Sequence, residues 1–124
     1  MTKSVFTVLL TLSTFLLLIS TSADAHHGWR WTSDTNVEVS GVIESAKLGN
    51  PHGVLVLNVN GDRWTAEVGQ PWRNQRAGLT EELMSVGTDI KIEGQRSTDP
   101  DELLVKAESV VIDGKRYVLY PNRS

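Results

Sequence analysis

The stretch VLVLNVNGDRWTAEV, residues 54–68, decides the fold. The apolar run Val54 to Val59 meets Asn60-Gly61, a dipeptide suited to a two-residue hairpin because both central residues of a type I′ turn take positive φ, and a third strand, Arg63 to Val68, follows. With Asn60 and Gly61 as the loop, Val59 faces Asp62 and Val54 faces Glu67. The strand period of two then places Leu55, Leu57 and Val59 on one side with Trp64, Ala66 and Val68. That side is the core. Val54, Val56 and Asn58 share the other side with Arg63, Thr65 and Glu67, and His52 falls there too, diagonal to Glu67.

Working outward, Val37, Val39, Gly41 and Ile43 alternate with polar residues as a first strand, broken by Leu48-Gly49-Asn50-Pro51. Downstream, Gly69-Gln70-Pro71 ends the third strand, and Pro71 suits the first turn of a helix over Trp72 to Ala77, closed by Gly78. Thr80 caps a further turn through Met84. Thr88, Ile90 and Ile92 mark a fourth strand, and a fifth runs from about Leu103 to Ile112. Asp113-Gly114 turns the chain into a short last strand at Tyr117 to Tyr120. This order predicts a mainly β protein: an OB-type five- to six-stranded barrel over residues 37–124, with one short helix between strands 3 and 4 and Trp72 plugging one end.

The 124 residues carry 12 Lys+Arg against 15 Asp+Glu and no cysteine. That composition describes one small domain with neither disulfides nor thiolate metal ligands. A net charge of −3 without a run of basic residues predicts no nucleic-acid partner. Residues 1–25 read as a signal peptide, with Lys3 as the positive end, an apolar run from Val5 to Ile19 and Ala23-Asp24-Ala25 as the cleavage site. The run is too short and too hydroxyl-rich to span a bilayer, so no membrane span is expected in the mature chain and its place is the periplasm. Residues 26–36 form an N-terminal tail in which Trp29 and Trp31 pin the chain to the domain.

The histidines are His26, His27 and His52. Cleavage after Ala25 would give His26 a free α-amine beside its imidazole, and both groups shed protons near neutrality for a metal. A sulfur-free, nitrogen-rich set favours copper as Cu(II), with zinc or nickel as alternatives. His52 and Glu67 share a strand face and could complete a four-ligand site with His26 and His27. The tail spans at most about 36–40 Å when extended, against roughly 33 Å for the first strand, so it reaches back only narrowly. The bland readings stand beside these: an exposed polar tail, a turn histidine, and a strand carboxylate with no task.

The Ala25-His26-His27 start, the Asn50-Pro51-His52 turn, the Trp64-to-Gly69 strand end, Gly78-Leu79-Thr80 and Val86-Gly87-Thr88 together resemble a family of small secreted bacterial proteins of unknown function. The resemblance covers His26 to about Ile112. It implies the secreted compartment and the OB-like domain, and no activity. Where that family shows His-His-Ser-Phe, this chain has His26-His27-Gly28-Trp29. The terminal histidine is similar in concept to the histidine brace of copper carriers and oxygenases.

Two functional readings result. The first is a periplasmic Cu(II)-binding carrier, buffer or sensor, with the metal ion and a periplasmic protein as partners. The alternative is a non-metal OB-type binding module that takes an oligosaccharide, a small ligand or a partner protein on Asn58, Arg63, Thr65 and Glu67. An enzyme ranks behind both, since no phosphate loop, nucleophile elbow or HExxH motif occurs.

Overall fold

The computed structural model describes residues 28–123. His26, His27 and the expected signal peptide lie outside them. Six strands and one helix follow in the order β1 Thr32–Lys47, β2 Val54–Val59, β3 Asp62–Glu67, α1 Pro71–Arg76, β4 Asp89–Ser97, β5 Leu104–Ile112 and β6 Lys115–Val118. A single 3-10 turn, Glu82–Met84, precedes β4.

The β2–β3 hairpin has the register that its turn demands: Val59 pairs with Asp62, Leu57 with Trp64 and Val54 with Glu67. Asn60 and Gly61 both take positive φ, and the Asn58 side chain accepts the Gly61 amide at 2.8 Å. Leu55, Leu57, Ala66 and Val68 are fully buried, with Ile43, Ile92, Val105 and Val110 from β1, β4 and β5 around them. Asp113 and Gly114 repeat the positive-φ pair between β5 and β6.

Three expectations are corrected. The strands form a six-stranded sheet in the order β3-β2-β1-β4-β5-β6, not the OB-type five- to six-stranded barrel. Its two outer strands, β3 and β6, are not paired with each other. They divide the free edge of β5: β3 runs parallel to its first residues through Thr65–Leu104, Ala66–Val105 and Glu67–Lys106, and β6 takes Ser109 to Ile112. Element order predicts a mainly β sheet with one short helix between β3 and β4, but sheet closure depends on how edges are shared, which no local pattern encodes.

Secondly, β1 begins at Thr32 and not at Val37. Thr32 to Asn36 lack apolar alternation, and their extended form is imposed by pairing with Ser97 and Gln95 of β4. Thirdly, Trp72 plugs nothing, being 52% exposed. The inward side of the short helix is taken by Asn74, which accepts the Gly69 amide and donates to the Gly69 carbonyl. Leu79 and Met84 fill the space beneath it.

Gly94 sits where β4 presses on β5 at a register shift. A Cβ there would collide with the carbonyl oxygen of Lys106, whereas one at Gly49 would meet open space. Gly94→Ala should therefore cost about 1–3 kcal/mol in urea titration, and Gly49→Ala should stay within about 0.5 kcal/mol. Equal midpoints for the two variants would contradict this account of β4–β5 packing.

Candidate functional site

The turn before β2 is tied to the end of β3. The Gly53 amide donates to the Gly69 carbonyl and the Val68 amide to the Gly53 carbonyl, each at 2.9 Å. This tie carries His52 onto the face of Glu67, and its Nε2 stands 2.9 Å from Glu67 Oε1. The Glu67 carboxylate is almost entirely enclosed, and its other oxygen, Oε2, has no hydrogen-bond donor among the described residues.

Across the parallel contact, Lys106 is the register partner of Glu67. Its ammonium donates to the Gly28 carbonyl at 2.8 Å and lies 4.9 Å from the centre of the Trp29 ring. Burial holds the Lys106 pKa below the ordinary lysine value, and the Glu67 charge only partly offsets it. Trp29 meets Tyr120 edge-to-face at 5.1 Å, and Arg123 covers the Trp29 ring at 3.9 Å. The Tyr120 phenol is pushed up by burial, against the nearby Arg73 charge. The residues entering and leaving the sheet are thus clasped together over β5.

Arg73 links this clasp to the surface. Its guanidinium lies 4.1 Å from the Tyr120 ring and 4.6 Å from the Trp72 ring. Its Nε donates to Gln70 Oε1 and its Nη1 to the Leu119 carbonyl, both neutral acceptors. Neither Arg73 nor Arg76 forms an ion pair among the described residues. Beside them lies a pocket of about 170 Å³, lined by both arginines with Ala77, Val118, Leu119 and Pro121.

Of the four side chains expected at a copper site, the structure brings His52 and Glu67 together, while His26 and His27 lie outside the described residues. Among the described residues no group of three or more His, Cys, Asp or Glu could hold a metal. The Glu67 charge acts on Lys106, its register partner, whose positive charge opposes a divalent cation there. The polar face expected for the binding module is also engaged. Arg63 pairs with Glu44 at 3.3 Å, Asn58 caps its own hairpin, and Glu67 holds His52. Sequence reasoning missed Lys106, Arg73, Tyr120 and Arg123, which are brought together from separate elements. Trp72 beside Arg73 was visible as an aromatic–cation pair next to the helix-starting Pro71.

The chain belongs to a family described as "Family of unknown function (DUF6152)", whose model matches residues 14–103. No curated protein matches it. A chain in the crystal structure of the S. pombe Stn1–Ten1 complex is 15% identical, with 62% of this chain and 57% of that one covered and a TM-score of 0.50. A TiaS–tRNA–ATP complex matches at 13% identity, TM-score 0.47, covering 62% of this chain and 18% of that one. A ZRD-deleted TiaS mutant in complex with agmatine matches at 12% identity and TM-score 0.47, covering 68% and 26%. The chain thus spans less than two thirds of each of these structures.

These findings correct two further expectations, the family resemblance and the absence of a nucleic-acid partner. The family is one of unknown function, and its description supports neither the secreted His-His family nor a barrel. The exclusion of nucleic acid from net charge does not stand either. Net charge does not describe the folded surface, because the chain gathers Arg73, Lys106 and Arg123 around aromatic rings despite a net charge of −3. Among the described residues no helix is long and apolar enough to cross a membrane.

Glu108 of β5 is buried against Arg123, whose Nε is 3.8 Å from its Oε1. Burial raises its pKa above the ordinary glutamate value, with Arg123 opposing. Between its unfolded and folded pKa values the native state therefore binds more protons, so stability falls as pH rises through the raised value. Glu108→Gln should flatten that fall at pH values above the ordinary glutamate pKa of about 4.3 in urea titrations at a series of pH values. A variant with the wild-type slope would show that Glu108 is not its source.

Proposed function

We propose that this protein is an OB-fold-like binding module whose ligand seats on α1 and the segment after β6. The observation carrying this reading is Trp72: a large aromatic ring left 52% exposed, backed by the Arg73 guanidinium, with Arg76 one helical turn beyond. An exposed tryptophan on a short helix contributes little to a core. Backed in this way it offers a stiff, flat platform with positive charge beside it, the composition that dominates binding surfaces. Arg73 is itself fixed by Gln70, Leu119 and the Tyr120 ring, so little conformational freedom is lost when a ligand arrives.

The β2–β3 face offers less, because Arg63, Asn58 and Glu67 already satisfy partners within the fold. A copper-carrier reading gains no support from the described residues, where Glu67 of the His52–Glu67 pair has the Lys106 ammonium for a neighbour.

The test is a thermal-shift and calorimetric panel of short oligosaccharides, oligonucleotides and peptides against wild type, Trp72→Ala and Arg63→Ala. A ligand that binds wild type should weaken about tenfold or more on Trp72→Ala, equivalent to about 1.4 kcal/mol, and bind Arg63→Ala as it binds wild type. Loss on Arg63→Ala with retention on Trp72→Ala would move the site to the β2–β3 face and overturn the proposal.

A further inference from the structure

From the chemistry of this surface, and resting on the reading that α1 is the binding site, we infer that its ligand class is an acidic oligosaccharide, a chain of sugar rings bearing carboxylates. Three features select it. The first is the platform. Trp72 presents one broad ring to solvent, while Trp29 and Tyr120 are packed against each other and against cations and offer no second open face. One platform stacks one ring. A pyranose ring seats on tryptophan through its C–H face while its substituents reach sideways.

The second is the disposition of charge. Arg73 keeps its Nη2 without an acceptor among the described residues, and Arg76 is exposed and unpaired there. The two lie three residues apart on α1, about one helical turn or roughly 5 Å along the axis, and both line the 170 Å³ pocket. That pocket admits one small anionic group, and a planar carboxylate matches a guanidinium fork. A uronate carries its carboxylate on the same unit as its ring, so stacking on Trp72 brings the carboxylate toward these two side chains.

The third is where the positive surface ends. On another flank of α1, Glu81 from the segment after the helix lines a separate pocket of about 270 Å³ with Gln75 and Pro71. Arg123 is already occupied by Trp29, Gln95 and Glu108. A single-stranded nucleic acid needs a cationic track along its phosphates and successive aromatic faces for its bases. This surface has the unpaired Arg76 guanidinium, the open Nη2 of Arg73, one open ring and an acidic border, which fit a short, sparsely charged chain better.

The experiment is calorimetric titration of the full chain with trigalacturonate, with galactotriose as its neutral counterpart and with a thymidylate trimer, at low and at physiological salt. Variants are Trp72→Ala, Arg76→Gln and Arg76→Lys, each first checked for wild-type thermal unfolding. The expected result is binding of trigalacturonate, weakened about tenfold or more by Trp72→Ala and by Arg76→Gln, partly restored by Arg76→Lys, and reduced by salt. Galactotriose should bind at least tenfold more weakly. Tighter binding of the thymidylate trimer, lost with Trp72→Ala, would overturn the sugar assignment while leaving α1 as the site. Trigalacturonate binding unaffected by Trp72→Ala would overturn the site and the assignment together, and absence of trigalacturonate binding would overturn the assignment.

Discussion

The parallel contact between β3 and β5 sets Glu67 and Lys106 side by side in a region with little water, and the rest of the surface chemistry depends on how these two charges are accommodated. An isolated buried charge is costly, and even a paired one recovers its lost hydration only with good hydrogen bonds. Here the pair does not simply satisfy itself. Glu67 takes its short contact from His52, and Lys106 gives a hydrogen bond to the Gly28 carbonyl. Each charge thereby fastens a piece of chain that the β-sheet alone would leave loose: the turn before β2 in one case, the approach to β1 in the other. Trp29 follows Gly28 into place, and Tyr120 and Arg123 close over it from the opposite end of the chain.

The legible part of this arrangement came from short-range rules. Asn60-Gly61 specifies a turn geometry, the turn specifies a register, and the register puts His52 and Glu67 on one face; their contact at 2.9 Å follows from a period of two. Pro71 and Gly78 bound the helix by equally local means. The contact of β3 with β5 has no such signal. Residues 65–67 and 104–106 are nearly forty positions apart, and parallel pairing of that kind is encoded only in the shape of the whole sheet. Lys106, Tyr120 and Arg123 were accordingly invisible as site residues, since each gains its meaning from that contact. Thr32 to Asn36 read as tail for the same reason: their strand conformation comes from Ser97 and Gln95, not from their own side chains.

Charge was misread in a different way. Fifteen acidic and twelve basic residues sum to a mild negative value, and no basic run occurs along the chain. Potential near a surface, however, depends on which charges are close and which are already paired. Lys91, Arg63 and Arg116 are each paired with a glutamate on another strand of the sheet. Arg73 and Arg76 of α1 are among the cations without such a partner, so a chain that is acidic in sum carries local positive charge beside Trp72.

Arg73 joins these two lessons, because it belongs both to the clasp and to the exposed face. Its guanidinium rests against Tyr120 inside and Trp72 outside, and its hydrogen bond to the Leu119 carbonyl anchors it to the backbone just before the clasp. Leu119 in turn bonds through its amide to the Glu108 carbonyl on β5, the strand that also carries Lys106. A continuous set of contacts therefore runs from the buried Glu67–Lys106 pair through Trp29 and Tyr120 to the Trp72 platform. Loosening the clasp would leave Trp72 attached to its helix but unsupported behind. The stiffness of the exposed ring is set by the handling of charge beneath it, and that coupling is why a six-residue helix with only one buried side chain can hold a binding surface in place.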